Sequence, residues 1–314
     1  MPKLTVTVIT RNESAHIEAA LASVSWADER IVIDAESTDD TATIARRHGA
    51  RVEVRPWPGY GPQKDYAASI ASNDWILSLD ADERVTPDLA AEIQSLLSSE
   101  PARRGYRIPR ATFYLGTWIR ATDWYPDSQL RLYDRRAGAW TAVRVHESVR
   151  LRSGEAGRLR SDLLHYAYRD ISHHLATIDR YTTLAAAEMA DSGRSPGLAA
   201  IAVDPVFAFV RNYLLRRGFA LGTPGLIVSV LNSYYVFLKL AKTWARASRR
   251  AAEGASEGLR PSHANGAEAE DALRERQRNG AARVDRVMEP ASPGAGVPGD
   301  EGRAGRSGAA KPSG

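Results

Sequence analysis

A mostly parallel, doubly wound α/β sheet, followed by a smaller mixed-strand region and a helical C-terminal segment, is the fold class this sequence predicts. Three observations predict it. Over residues 1–100, short β-branched runs alternate with helical stretches every few turns, the pattern of a parallel sheet with helices on both faces. After Pro101 the runs shorten and aromatic loops join them, as in antiparallel strands. From residue 171 the chain turns helical, with 21 consecutive uncharged residues from Gly218 to Leu238.

Each element has a local reason. Residues 4–9 are an alternating, β-branched strand, and Asn12 or Ser14 can cap a helix over 15–24. Residues 30–34 are a second apolar strand. Ser37-Thr38-Asp39-Asp40 is a capping sequence with acids in the first turn, opening a helix that runs to His48 and stops at Gly49. Residues 51–55 form a third strand. A loop rich in Pro and Gly, 56–62, leads into a helix over 63–71. The apolar run from Trp75 to Leu79 is a buried fourth strand, and Thr86-Pro87 supplies the cap and first position of a helix over 88–97. Beyond Pro101, residues 105–109, 112–115, 130–133 and 139–141 are short, mostly antiparallel strands, and a long helix covers 171–190.

Composition sets bounds on function. Among 314 residues there is no cysteine, which excludes disulfides, thiolate metal sites and cysteine nucleophiles and suits a reducing cytosol. The net charge of +4 fits anionic partners such as nucleoside diphosphates or acidic lipid. It is too small and too dispersed for nucleic acid, and no recognised module supports that class. The N-terminus enters a strand directly and lacks the apolar region of a signal peptide, so a cytoplasmic location is expected.

The chemistry concentrates at strand ends. Asp80-Ala81-Asp82 follows the fourth apolar run, at the sheet edge where ligands bind in open α/β folds. Alternation along a strand sends residues i and i+2 to one side, so the two carboxylates can face one hard cation, Mg²⁺ or Mn²⁺. Two solvated acids with Glu83 extending the run is the plainer alternative. The first strand ends in Thr10-Arg11-Asn12-Glu13, the second in Asp34-Ala35-Glu36-Ser37-Thr38-Asp39-Asp40-Thr41, and the helix before the fourth carries Gln63-Lys64-Asp65. Short polar side chains at three strand ends can hold a base, a ribose and a metal-bridged diphosphate. No Gly-x-Gly-x-x-Gly or Walker-type loop follows any strand, so phosphate charge falls to metal and side chains.

Thr-x-Asn-Glu, Asp-x-x-Ser-x-Asp-x-Thr and Leu-Asp-Ala-Asp-Glu, in this order, resemble the inverting family 2 glycosyltransferases of GT-A fold over roughly residues 4–170. Gln129-Leu130-Arg131-Leu132-Tyr133, Val145-His146-Glu147 and His165-Tyr166-Ala167-Tyr168-Arg169-Asp170 are similar to the branch that adds a β-glucosyl residue to the lipopolysaccharide inner core. Glu36 departs from the glycine of many members, and the Gln-x-x-Arg-Trp motif of processive synthases is absent, which points to a single sugar transfer. The resemblance implies a nucleotide-sugar donor, a divalent metal and a lipid-linked saccharide acceptor. It places Thr10, Asn12, Glu13, Ser37 and Asp39 at the nucleotide pocket, with Asp34 on the uracil and Lys64 near the donor. It also implies Asp80 on the ribose or a metal water, Asp82 on the metal, His146 as a further metal ligand and Arg131 on the diphosphate. Glu147 would be the general base. Six of them have a plainer reading: Asn12 and Asp39 as helix caps, Lys64 as a solvated charge, Glu13 as a first-turn acid, His146 as structural, Arg131 as edge decoration.

The expected organisation is a nucleotide-sugar half over 1–100, an acceptor and catalytic half over 101–170, a helical segment over 171–250 and a disordered tail over 251–314. The tail holds no Phe, Tyr or Trp but eleven Gly and five Pro. Residues 205–243 read as a re-entrant or interfacial hairpin with basic flanks Arg211, Arg216, Arg217, Lys239 and Lys242, since Gly222, Pro224, Gly225, Asn232 and Ser233 interrupt the apolar run. A single membrane span and a buried helical pair are the alternatives. The function expected is metal-dependent, inverting sugar transfer, with UDP-glucose as donor, onto a membrane glycolipid at the cytoplasmic face. The alternatives are transfer to polyprenyl phosphate or protein, and a non-catalytic nucleotide-binding membrane adaptor.

Overall fold

In the computed structural model, residues 1–141 and 147–258 are described. Strand β1 (Leu4–Thr10) is buried along its whole length, because helices cover both faces of the sheet. Of its threonines, Thr5 Oγ1 donates to Glu29 Oε2 at 2.6 Å, while Thr7 and Thr10 Oγ1 are buried without a partner. Next come α1 (Ile17–Ser23), β2 (Glu29–Asp34), α2 (Thr41–Arg47), β3 (Arg51–Val54), α3 (Tyr60–Ser69) and β4 (Trp75–Asp80). β5 (Glu83–Val85) and α4 (Pro87–Leu97) follow. The second region holds β6 (Gly105–Tyr114), β7 (Thr117–Ile119), β8 (Asp127–Asp134), β9 (Gly138–Trp140), β10 (Val149–Leu151), β11 (Gly157–Arg158) and β12 (Leu163–His165).

The main sheet runs β3-β2-β1-β4-β8-β6-β12-β5, with β7 and β11 also on β6, while β9 and β10 form a separate pair. β1 to β4 are parallel, and β8 enters antiparallel to β4. The 1–100 and 101–170 regions thus share one sheet. α1, α2 and α4 pack one face, around Leu21, Ala45, Leu89 and Ile93. α3 packs the other with Trp140 and Val149. In α4, Leu89, Ile93 and Leu97 are buried at four-residue spacing, worth about 1.5–3 kcal/mol each. Its expected cap is in place: Thr86 Oγ1 accepts from Leu89 N at 3.1 Å.

Some expected elements differ. Residues 105–109 and 112–115 are one strand, not two. Pro109 is tolerated inside β6 because it falls between the pairings of Arg107 with Arg158 and Arg110 with Leu163, where no ladder bond is needed on that side. Neither Asn12 nor Ser14 caps α1, and Asp40, at the N-cap of α2, makes no side-chain bond. The Asn12 side chain instead bridges to the next loop, its Oδ1 accepting from Thr38 N.

Downstream, α5 (Ile171–Asp191) starts on Asp170, whose Oδ1 accepts from His173 N at 2.7 Å. α6 (Leu198–Val210) begins ahead of the expected hairpin and carries Pro205 inside it. A π turn (Arg211–Leu215) and a 3₁₀ turn (Gly218–Leu221) lead into α7 (Gly222–Gly258). At Gly225 a Cβ would sit 1.9 Å from Gly218 O, so only glycine allows this approach. α6 and α7 are tied by Ser233 Oγ donating to Pro205 O at 2.7 Å. α7 carries residues 251–258 as helix, which shortens the expected disordered tail; the rest of that tail lies outside the described residues. Two helical stretches, Leu198–Leu215 and Gly218–Glu253, are long and apolar enough to cross a membrane by length and composition.

Candidate active site

Sheet register assembles the site. Thr10 pairs with Asp34 across β1 and β2, and Ile9 with Asp80 across β1 and β4, so three strand ends finish level. Asp34 is buried; its Oδ2 accepts from Ser37 N at 2.9 Å and its Oδ1 from Ser37 Oγ. The loops after β1 and β2 are laced together. Asn12 N donates to Ser37 Oγ and Asn12 Oδ1 accepts from Thr38 N, both at 2.8 Å. Glu13 N donates to Thr41 Oγ1 at 2.8 Å and Ser14 N to Asp39 Oδ2 at 3.1 Å. Asp39 also accepts from Thr41 N and Oγ1. Burial opposes its ionisation, but the bonds from Thr41 and Ser14 win, and its carboxyl falls to about 2. Asn12, Ser37 and Asp39 therefore shape this edge by holding its loops. Thr10 Oγ1 is buried without a partner there.

The most heavily paired group is a buried chain of charges. Lys64, on α3, is almost fully buried; its Nζ lies 2.9 Å from Asp80 Oδ1 and 3.3 Å from Glu147 Oε1, above the Trp140 ring. A solvated lysine is thereby excluded. Arg131 Nη2 reaches Asp80 Oδ2 at 2.5 Å and Glu83 Oε1 at 3.0 Å, while its Nε and Nη1 are buried without partners. Arg131 is interior, not edge decoration. Glu83 is fully buried and also accepts from Arg110 Nη1 at 3.1 Å and from Asp80 N at 2.9 Å. Burial opposes ionisation of Asp80, yet Arg131 and Lys64 hold its carboxyl well below the usual range.

Asp80 and Asp82 do not present themselves as a matched pair. β4 ends at Asp80, and Asp82 sits in the turn to β5. Asp82 Oδ2 lies 3.3 Å from His165 Nε2. Burial raises its carboxyl, but the His165 hydrogen bond and charge prevail and lower it. Pairing puts His165 there: β12 sets it opposite Glu83 on one side and Thr112 on the other, and Tyr166 N donates to Asp82 O at 2.9 Å. Glu13 feels this crowding. Burial, Asp82 and Asp39 together push its carboxyl up to about 7. Glu147 stands beside Gly61 and Lys64, a fifth of its side chain exposed. His146 lies outside the described residues.

Sequence reasoning gave His165 and Glu83 no role in the site, although both fall within its motifs. Their signal is three-dimensional, since β12 is three residues long and its partners lie far away in the chain. Among the aromatics of the second region, Trp140 is core, whereas Trp124 lines an open cavity.

The profile of "Glycosyl transferase family 2" matches residues 5–143. An uncharacterized glycosyltransferase of Rickettsia bellii is 33% identical over 252 residues, covering 76% of this chain and 85% of that protein. The lipopolysaccharide core biosynthesis glycosyltransferase LpsC of Rhizobium meliloti is 27% identical over 268 residues, 82% of this chain and 99% of that one. The mannosyltransferase PcManGT from Pyrobaculum calidifontis, solved in complex with GDP-Man and Mn²⁺, superposes with a TM-score of 0.46 at 15% identity, over 77% of this chain and 87% of that one. The chain is a glycosyltransferase and belongs to glycosyltransferase family 2.

Proposed function

We propose that this protein moves one sugar, with inversion, from a nucleoside diphosphate sugar onto a membrane glycolipid, with UDP-glucose as donor and a lipopolysaccharide-core saccharide as acceptor. The observation that carries the proposal is Lys64, whose buried ammonium joins Asp80 of the donor edge to Glu147. Asp34, at the level of Thr10, is the acceptor for a base N–H. The unpartnered Nη1 and Nε of Arg131 suit a diphosphate oxygen. The similarity to LpsC supports a lipopolysaccharide-core acceptor.

A divalent cation fits beside Asp82. Asp82 and His165 would hold it, as an oxygen and an imidazole ligand acceptable to Mg²⁺ or Mn²⁺. Glu13, raised to about 7 by burial and neighbouring carboxylates, marks negative charge that a cation relieves. No ready cluster of three or more acidic or histidine groups occurs among the described residues. Water and substrate phosphate would complete the shell, as is usual for Mg²⁺. Bound there, the ion would supply charge stabilisation to the departing diphosphate.

Glu147 takes the proton of the acceptor hydroxyl as that oxygen bonds to the anomeric carbon. The bond from that carbon to the diphosphate breaks on the opposite face, so configuration inverts. Lys64 holds Glu147 in place. The exposed apolar side chains Phe207, Leu215, Phe219, Leu226, Val230 and Phe237 support a monotopic seat on the cytoplasmic membrane face. The basic contribution is smaller than the sequence implies. Arg211 and Arg216 pair with Asp123, and Lys242 Nζ is 2.7 Å from Asp179 Oδ1 and 2.8 Å from both Thr182 and Thr183 Oγ1. Arg217 and Lys239 remain for headgroups. Incubation with a panel of nucleotide sugars and Mg²⁺ or Mn²⁺, reading nucleoside diphosphate release with and without core saccharide, tests the proposal. Acceptor-stimulated UDP release supports it; no release from any donor refutes it.

A further inference from the structure

His165 also lines a cavity of about 200 Å³, together with Arg110, Asp127, Trp124 and Tyr168 among others. It shares Trp124 and Tyr168 with a second cavity of about 300 Å³ between the Thr122–Trp124 turn, α5 and α7. One side of the second cavity is a rigid aromatic wall. Tyr168 stacks on His174 with centroids 4.1 Å apart, and Trp124 packs 5.4 Å from Tyr168 and 5.3 Å from His174. His174 is buried and its imidazole falls to about 4, chiefly through burial, so the wall is uncharged at neutral pH. The wall is anchored from α7 and the π turn. Trp124 Nε1 donates to Asn232 Oδ1 at 3.0 Å, and Asn232 Nδ2 donates to Asn212 Oδ1 at 2.9 Å. Asn212 is fully buried and also binds Asp123 N and Asp123 Oδ2, at 2.8 and 3.0 Å.

Tyr181 and Tyr235 complete the lining and behave differently. Both are half-buried. Among the described residues neither has an aromatic partner nor a hydrogen bond on its hydroxyl; only Arg180 and Lys239 approach their rings, at 5.1 and 6.0 Å. They are amphipathic plates with free polar tips, facing a fixed aromatic wall. The volume is at the lower end of small-molecule sites, about 300–1,000 Å³.

We propose that this cavity is a saccharide subsite, binding a ring of the acceptor beyond the one that receives transfer. It rests on the reading of the protein as a transferase onto saccharide and deepens it. A sugar offers apolar C–H faces to the aromatic rings and hydroxyls to Tyr181 Oη, Tyr235 Oη and Thr177 Oγ1. An acyl chain would fill the volume but leave the Tyr181 and Tyr235 hydroxyls unpaired, whereas Thr177 Oγ1 already donates to His173 O at 2.9 Å. Trp124 and Tyr168 line both cavities, and the smaller one is also lined by His165.

The test is binding, independent of turnover. The full chain in detergent is titrated with core oligosaccharide freed of lipid by deacylation, followed by saturation-transfer NMR and tryptophan fluorescence. Tyr235→Ala and Tyr181→Ala should each weaken binding about tenfold or more, as for a lost hydrogen bond and its packing. Tyr235→Phe, which keeps the plate, should lose less, and UDP-glucose affinity should stay within about twofold. Unchanged oligosaccharide affinity in both alanine variants overturns the subsite, as does wild-type protein that binds dodecanoate there in place of the oligosaccharide. If the oligosaccharide binds as described but no nucleotide sugar is consumed, the proposed reaction fails and the subsite stands.

Discussion

Arg131→Met removes the central cation of the buried charge chain. Arg131 is 6% exposed and shares one nitrogen between Asp80 and the fully buried Glu83. Breaking a buried pair costs about 3–5 kcal/mol, because the remaining charge stays desolvated. Glu83 keeps Arg110 and the Asp80 amide, and Asp80 keeps Lys64, which places the loss near the low end, about 3 kcal/mol. For a body of this size that corresponds to a fall in Tm of roughly 6–12 °C. Asp80 sets the pH dependence. Arg131 and Lys64 depress its folded carboxyl against burial, so its stabilisation is present above the ordinary carboxylate range and is lost as pH falls through the folded value. The deficit of the variant should therefore be full at pH 7 and shrink as pH drops below about 4. Thermal melts followed by circular dichroism at pH 7 and in the acid range read both effects. A Tm within about 2 °C of the parent at pH 7 would refute the chain's structural weight.

Other perturbations separate the roles. Asp82→Asn and His165→Ala should each abolish the Mg²⁺ or Mn²⁺ enhancement of UDP-glucose binding in calorimetry; enhancement retained in both would remove the proposed ligand pair. Glu147→Gln should lower kcat by roughly 10²–10⁴, the usual worth of a general base, while donor affinity holds. Parallel loss of affinity and turnover would place Glu147 in the nucleotide pocket. Replacing the exposed Phe207, Phe219 and Phe237 together by Ser removes about 1.5–3 kcal/mol of apolar burial per ring and should release the protein from membranes in flotation assays. Leu231, although apolar and in the same run, is buried against the protein, and its loss should unfold before it detaches. Release of the wild-type protein by salt alone would contradict an apolar seat, since ionic screening does not weaken it.

The first half of the fold was legible because its signals are local. Apolar runs, Thr86-Pro87 and the Gly49 stop lie within a few residues of what they specify, and the structure places strands and helices there. The strand-end motifs were likewise visible, because a parallel sheet delivers its C-terminal ends to one edge. Pairing over long separations was not. β5, β7, β10, β11 and β12 span two or three residues each, too few for periodicity to register. Register with β12 is what sets His165 against Asp82. Strand alternation predicts Asp80 and Asp82 on one side; the strand stops at Asp80, and Lys64 and Arg131, distant in the chain, pair with that carboxylate. Basic residues in the helical segment read as headgroup contacts because their acidic partners, Asp123 and Asp179, belong to other elements.

The most direct test of the central claim follows the anomeric proton by NMR while the purified protein acts on UDP-glucose and core oligosaccharide with Mn²⁺ or Mg²⁺. The donor is α-linked, and direct displacement assisted by Glu147 predicts a β-linked product that forms in step with UDP and stops when the metal is chelated. An α-linked product, or UDP formed without any glycoside, would contradict inverting transfer at this site.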